Sequence, residues 1–294
     1  MVLNYFLYYL VIIPISLLPF PFLYLLSDFF FIIIYHFVGY RKKVVLANLH
    51  NSFPEKSDKE INAVCKKFYR HFCDLIIESI KIFTISEKQV KKRMRILNPE
   101  VVNRFYDEGR SVVLVGGHVN NWELYAVAID ATLKHQSIGI YKKLKSPFWD
   151  NAMRKTRQKY GLRMVATKIV KDVFEQDKNK LTATIFGADQ SPGNVKSAHW
   201  MTFLNQETAV TFGSEKYAKL YNMPMIYGEI TKTKRGHYEM KYEVLTESPN
   251  EHPEGEITEM HTKQLEKAIK QAPQYWLWTH RRWKHKRKQE TVDS

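Results

Sequence analysis

Cysteine is scarce in this 294-residue chain, which contains only Cys65 and Cys73. The two stand within a segment of helical periodicity, at a spacing where they cannot form a relaxed disulfide, so we expect both thiols simply to pack. The chain also lacks an HExxH motif and a paired CxxC. A zinc site is therefore not predicted.

Charge is missing from the beginning of the chain, where the first charged side chain is Asp28. The uncharged stretch from Tyr5 to Leu26 approaches the ~20 residues that a helix needs to cross a bilayer, and Phe29 to Val38 extends the apolar surface. Prolines within the stretch kink or end a helix, so membrane attachment is predicted more firmly than one complete span. A cleaved signal peptide is the alternative, but there is no basic n-region and no small-residue cleavage site.

A basic triplet, RKK, follows the apolar segment at residues 41–43. The positive-inside tendency places what comes after it in the cytoplasm. No internal repeat, low-complexity block or long linker divides the remainder. The predicted organisation is a membrane anchor over residues 1–40 and one domain over residues 41–294, comprising a helical preface at 41–110 and an α/β core with a basic tail at 111–294.

Helical periodicity dominates the preface. A capping box at Ser57 to Glu60 opens a long amphipathic helix whose apolar stripe is predicted to be core, with Glu78 as a polar exception near the candidate site. Shorter helices are expected after Ser86 and after Pro99.

From Ser111 onward, apolar runs alternate with helical patterns, which indicates an α/β fold with a mixed, mostly parallel sheet flanked by helices. Strands are predicted at 112–116, 137–141, 163–166, 181–187, 224–231 and 237–245. Helices are predicted near 122–132, 147–160, 169–178, 211–222 and 257–271.

The most informative segment is VVLVGGHVNNWE at residues 112–123. An apolar strand, a glycine pair and a helix start place His118 and Glu123 at one strand-to-helix turn, where α/β proteins hold their chemistry. If Asn120 or Asn121 caps the helix, the Glu123 carboxylate in the first turn could reach back and orient the imidazole. A histidine supported in this way can take a proton from an attacking hydroxyl, a contribution of roughly 10²- to 10⁴-fold in rate.

A purely structural interpretation of these residues stays open from spacing alone. Histidine and glutamate recur at this distance by chance, and the helix dipole by itself favours Glu123 in a first turn. The basic residues between 142 and 157 could form a solvated helix face, and Asp189, after the apolar LTATIFG run, could be an ordinary turn former.

Several segments together resemble the lysophospholipid acyltransferase superfamily, and most closely its branch of lipid A late acyltransferases. The matching segments, in chain order, are RKKVVLANLHNSFPEKS at 41–57, GGHVNNWE at 116–123, YKKLKSPFWDNAMRKTRQKYG at 141–161, ADQSPG at 188–193 and APQYWLWTHRRWK at 272–284. The resemblance covers nearly the whole chain. It implies a membrane-bound acyltransferase in which His118 is the general base and Glu123 its orienting partner.

The resemblance also implies substrate-binding residues. Arg157 and Asp189, with Gln190 beside it, correspond to family positions for substrate positioning or oxyanion stabilisation. Tyr141 matches the family's Tyr-Arg-Pro segment, but Lys142 and Lys143 replace its Arg-Pro pair. Lys142 therefore stays a substrate-binding candidate without the guanidinium geometry that grips a phosphate in a bidentate manner.

The formal net charge of +15 indicates that the protein binds an acidic partner or a negatively charged surface. Nucleic acid is not predicted, because no recognition motif is visible and the apolar beginning of the chain favours lipid. Anionic phospholipid, a phosphorylated glycolipid acceptor and an acidic acyl carrier protein each fit the charge. The C-terminal aromatic and basic residues fit a headgroup interface equally well as a packed structural element; they are Tyr275, Trp276, Trp278, Arg281, Arg282, Trp283, Lys284, Lys286, Arg287 and Lys288.

These features lead to one main hypothesis and two alternatives. The main one is transfer of a fatty acyl chain from a thioester, on acyl carrier protein or coenzyme A, to a hydroxyl of a lipid A precursor at the cytoplasmic face of the inner membrane. No metal or bound cofactor is expected, because the thioester already activates the acyl group. The first alternative changes the acceptor to a lysophospholipid or an aminolipid. The second is an inactive basic scaffold at a membrane surface, in which replacing His118 would leave function intact.

Overall fold

A computed structural model describes residues 2–287, so Lys288 lies outside the described residues. The beginning of the chain, up to residue 38, forms two apolar helical segments. The first runs through α1 (Val2–Phe6), π-helical turns and α2 (Ile13–Leu17). Pro19 has extended backbone angles, and α3 (Phe20–Ile32) then begins and continues in π-helical turns to Val38.

This break confirms that proline interrupts the uncharged stretch from Tyr5 to Leu26, so that stretch does not form one continuous span. Within residues 2–287, one helix, Phe20–Val38, is long and apolar enough to cross a membrane. One face of α3 packs into the protein through Leu23, Ser27 and Phe31. The other face leaves large apolar side chains exposed, which marks an interaction surface.

The helical preface follows the predicted pattern. Its helices are α4 (Lys42–Ser52), α5 (Asp58–Lys81), α6 (Glu87–Arg93) and α7 (Glu100–Asp107). The capping box at Ser57 and Glu60 is present, and α6 begins at Ser86 as expected. Cys65 and Cys73 are both free and buried in α5, as predicted.

The core consists of β-strands that form one large sheet and a separate hairpin. The strands are β1 (Met94–Ile96), β2 (Val112–Gly116), β3 (Gln136–Tyr141), β4 (Arg163–Ala166), β5 (Thr182–Gly187), β6 (Ala198–Phe203), β7 (Gln206–Thr211), β8 (Met225–Lys234) and β9 (His237–Thr246). The large sheet has seven strands in the order β1-β9-β8-β2-β5-β3-β4, and the hairpin joins β6 to β7. All neighbours in the large sheet are parallel except the antiparallel pair of β8 and β9. The predicted mixed, mostly parallel α/β fold is confirmed.

The core helices match the predicted ones to within a few residues. They are α8 (Trp122–Ala128), α9 (Pro147–Gln158), α10 (Val170–Gln176), α11 (Gly213–Leu220) and α12 (Glu256–Gln271). Three strands were missed. β1 has only three residues, and β6 and β7 lack a continuous apolar run; the two residues between them, Leu204 and Asn205, both have positive φ.

The register of two parallel strands positions the candidate site. β2 pairs with β5 so that their last residues, Gly116 and Gly187, lie side by side. Each strand is followed by a short segment carrying a functional candidate, His118 after β2 and Asp189 after β5. The two side chains therefore emerge together at the carboxyl edge of the sheet, where ligands bind in parallel α/β folds.

Candidate active site

The His118 loop is held in place by its asparagines. Asn121 is the N-cap of α8, and its side-chain oxygen accepts a hydrogen bond from the Leu124 amide at 2.7 Å. Asn120 adopts φ 55°, a left-handed conformation that asparagine tolerates better than most residues. Its side-chain amide donates to the Ile230 carbonyl at 2.7 Å. The predicted helix cap is thus present, at Asn121.

Asp189 is the carboxylate that faces His118. Its Oδ1 atom lies 2.5 Å from Nδ1 of the imidazole, and its Oδ2 atom accepts from the His118 backbone amide at 2.8 Å. The indole N–H of Trp276 donates to the same Oδ2 atom at 2.8 Å. Because Nδ1 carries the proton that the carboxylate accepts, the Nε2 atom is the imidazole's basic nitrogen.

Burial and charge act in opposite directions on this pair. Burial alone lowers the pKa of His118, but the charge and hydrogen bond of Asp189 outweigh it and raise the pKa above 6.5. Burial alone would raise the pKa of Asp189, yet the charge of His118 and the hydrogen bonds from His118 and Trp276 hold it well below its usual range. Asp189 therefore stays ionised and stabilises an imidazolium.

Glu123 does not occupy the place that its spacing suggested. Its two carboxylate oxygens accept from Nε and Nη2 of Arg157 at 2.8 and 2.5 Å, in a bidentate pair. The expectation that Glu123 orients His118 is corrected by this geometry. The first turn of α8 points the carboxylate at α9, whereas the strand register brings Asp189 to the imidazole.

Gln190 contacts the imidazole, whereas the predicted substrate-binding residues at the end of β3 have other surroundings. Gln190 places its side-chain nitrogen 3.3 Å from Nε2 of His118. Tyr141 ends β3 and donates its hydroxyl to Asp150 at 3.2 Å. Lys142 follows it on the surface, exposed, without a described contact to His118 or Asp189. The His118 side chain is 23% exposed and that of Asp189 2%, so solvent or substrate reaches the histidine and not the acid.

Gly187 makes room for the imidazole at the end of β5. A Cβ atom added at this position would lie 2.9 Å from Cε1 of His118, closer than real contacts allow. No larger residue fits without displacing the ring. The glycine at this position therefore belongs to the geometry of the site.

Part of the C-terminal segment packs inside the protein next to Asp189. For those residues, the prediction of contact with lipid headgroups is wrong. Trp276, Trp278 and Arg282 are 2%, 0% and 3% exposed, so they are structural and cannot face a membrane. A small cavity behind Asp189 is lined by Arg282 and His261 among others. Burial lowers the pKa of His261 to about 3 and that of Arg282 to about 10.

Sequence reasoning missed the role of Trp276. The residue stood in a matching segment, but its indole was assigned only to a headgroup interface or to general packing. The backbone of Asn120 also donates to the Tyr275 carbonyl at 2.9 Å. The C-terminal segment is thus bonded both to the His118 loop and to Asp189, a contact that no sequence spacing reveals.

Comparisons with known proteins identify the family to which the chain is similar. A family model described as bacterial lipid A biosynthesis acyltransferase matches residues 1–285. The chain is 23% identical over 271 residues to the lipid A biosynthesis lauroyltransferase of Escherichia coli (strain K12), covering 91% of this chain and 87% of that protein. It is 22% identical over 269 residues to the lipid A biosynthesis palmitoleoyltransferase of the same organism and to the lipid A biosynthesis acyltransferase of Shigella flexneri, covering 91% of this chain and 86% of each.

Proposed function

The chain belongs to the bacterial lipid A biosynthesis acyltransferases, and on this premise we propose that it moves a fatty acyl chain from a thioester to a hydroxyl of a lipid A precursor. His118 is the general base of this reaction. The observation that carries the proposal is the 2.5 Å contact between Nδ1 of His118 and Oδ1 of Asp189, which leaves Nε2 as the basic nitrogen at the carboxyl edge of the sheet.

The reaction needs no nucleophile from the protein. The acceptor hydroxyl gives its proton to Nε2 of His118 while its oxygen forms a bond to the thioester carbonyl carbon. Asp189 stabilises the resulting imidazolium. The tetrahedral intermediate then collapses, the carbon–sulfur bond breaks, and the leaving sulfur takes the proton back from His118. The products are an ester and a free thiol, and the histidine returns to its neutral state.

Arg157 and Glu123 have a separate role in this proposal. The bidentate pair fixes the guanidinium beside the site, and the Arg157 charge acts to lower the pKa of His118, less strongly than Asp189 raises it. A fixed cation there can stabilise the oxyanion that develops on the thioester carbonyl, or position a phosphorylated acceptor. Gln190 and Lys142 extend the substrate-binding surface from the end of β5 and the end of β3.

The donor and the membrane complete the proposal. The donor is an acyl thioester of acyl carrier protein, an acidic partner that suits a chain of net charge +15. Coenzyme A is the alternative carrier. The exposed apolar side of Phe20–Val38 fits a bilayer, and the basic triplet after it favours a catalytic domain on the cytoplasmic side of the inner membrane.

The test is acyl transfer by membranes that contain the protein, with acyl carrier protein thioesters and two competing acceptors. An under-acylated lipid A precursor and a lysophospholipid are offered to the wild type and to His118→Ala. Acylated lipid A precursor made only by the wild type supports the proposal. Preference for the lysophospholipid moves the acceptor to another membrane lipid. If neither acceptor gives a product that depends on His118, the protein uses a different acceptor or is the inactive scaffold.

A further inference from the structure

A buried carboxylate that the proposed mechanism does not use lies on α5. Glu78 of α5 is 4% exposed and accepts three hydrogen bonds from three different parts of the chain. The donors are the Tyr24 hydroxyl at 2.9 Å, the Asn121 side-chain amide at 2.6 Å and the Tyr238 hydroxyl at 2.8 Å. Polar groups buried so completely persist only when they are satisfied, and this one is satisfied by residues that lie far apart in the sequence.

We propose that Glu78 is a positioning residue that couples the apolar helix α3 to the catalytic loop through Asn121. The proposal rests on the acyltransferase function argued above. In this view, the apolar beginning of the chain is part of the active-site architecture as well as a membrane attachment.

Asn121 transmits the position of Glu78 because both ends of its amide are occupied. Its nitrogen donates to Glu78, and its oxygen accepts from the backbone amide of Leu124 at 2.7 Å. Glu78 thereby fixes which way the amide faces, and a flipped amide would point a donor at the helix amide that needs an acceptor. The start of α8 is set by this one orientation.

The first turn of α8 carries two groups that touch the site. The Trp122 ring meets the His118 imidazole edge to face, with centroids 5.1 Å apart. Glu123, the next residue, holds Arg157. A small displacement of this turn would move the wall beside the imidazole and the guanidinium together, while leaving the His118–Asp189 contact itself in place.

The other end of the coupling is the packed face of α3. Tyr24 bonds Glu78, and one turn further along the helix the Ser27 hydroxyl donates to Asp74 of α5 at 2.8 Å. Ser27 is thus a matched control, because it is a buried polar contact between the same two helices that does not lead to Asn121. Its removal tests the effect of loosening α3 alone.

The Glu78–Asn121 contact can be tested by exchanging the carboxylate and the amide between the two positions, first one at a time and then together. Asn121→Asp places two carboxylates against each other, so we expect kcat to fall by about tenfold or more with the KM for the acceptor little changed. Glu78→Gln keeps an oxygen toward Asn121 and can donate to the Tyr24 hydroxyl, so kcat should stay within about threefold of wild type. The double variant restores a donor facing an acceptor and should recover the activity lost in Asn121→Asp.

The coupling to α3 is tested by Tyr24→Phe beside Ser27→Ala. The first should lower kcat by about three- to tenfold, and the second should leave it unchanged. Hydrogen exchange of the Leu124 amide gives a readout that does not depend on turnover: it should be faster in Asn121→Asp and return to the wild-type rate in the double variant. Thermal unfolding establishes that each variant is folded.

The outcomes separate this inference from the proposed function. Equal kcat and equal Leu124 exchange in Asn121→Asp and the double variant would overturn the Glu78–Asn121 coupling. Equal kcat in Tyr24→Phe and Ser27→Ala would overturn its extension to α3. If the wild type makes no acylated product, the acyltransferase proposal fails, and Leu124 exchange still decides whether Glu78 sets the position of α8.

Discussion

Nδ1 of His118 lies 2.5 Å from Oδ1 of Asp189, a residue 71 positions further along the chain. Glu123, only five positions from the histidine, is bonded to Arg157 instead. The acid that supports the candidate base therefore comes from the neighbouring strand and not from the neighbouring helix. Substitutions of Asp189 and of Glu123 should therefore have different effects on catalysis.

The pH dependence of acyl transfer should report on His118. The histidine acts as a base only when neutral, and Asp189 raises its pKa above the ordinary 6.5 despite the opposing effect of burial. Activity should therefore be full at alkaline pH and decline as the pH falls through a value above 6.5. The measurement is kcat/KM against pH; an acid limb well below 6.5 would contradict the raised pKa.

Replacing Gly187 by alanine should damage the site without unfolding the protein. The added Cβ atom would meet Cε1 of His118 at 2.9 Å, so the ring must move away from its position against Asp189. A displacement approaching 1 Å can cost on the order of 10²-fold in rate, and we expect a loss of at least about tenfold in kcat.

Gly193→Ala is the matched control for this substitution. A Cβ atom there would have no neighbour within 4 Å, so its activity should remain that of the wild type. If the two alanine variants retained equal activity, the close approach between Gly187 and His118 would be irrelevant to function.

Arg157→Lys tests the cation beside the site. Lysine keeps the charge but cannot donate two parallel hydrogen bonds to Glu123, so the cation should lose its fixed position. Losing one charge-assisted hydrogen bond corresponds to about a tenfold decrease in kcat/KM or more. A fall in kcat at constant KM would favour oxyanion stabilisation, whereas a rise in KM would favour acceptor positioning. Unchanged kinetics would remove Arg157 from the site.

The sequence predicted the fold well because apolar runs and helix caps are local signals. The strand at 112–116, the α8 cap and the capping box at Ser57 all follow from residues within a few positions of one another. The strands of the β6–β7 hairpin were not predicted, because neither contains a continuous apolar run. The helix boundaries at the beginning of the chain differ from the uncharged stretch of Tyr5 to Leu26. Pro19 separates two helical segments there, and Phe20–Val38 is the longer one.

The sequence named most of the residues that the structure brings together at the candidate site, but not which of them contact one another. His118, Glu123, Arg157, Asp189 and Gln190 all lie in one region, yet the direction of each side chain depends on strand register and on how α8 packs against α9. Trp276 contacts Asp189 from a segment 87 positions away, which no local pattern could reveal. The role of each residue in catalysis remains a prediction.

The most direct test of the central claim compares Asp189→Asn with Glu123→Gln in the pH profile of kcat/KM. The first substitution would present an amide to donors that now meet a carboxylate, so kcat should fall by at least ~10²-fold. The acid limb should also move to lower pH, because burial would then lower the His118 pKa unopposed by Asp189. Glu123→Gln should act through Arg157, with a smaller loss and a smaller movement of the limb. A larger loss and a larger movement in Glu123→Gln than in Asp189→Asn would contradict the account.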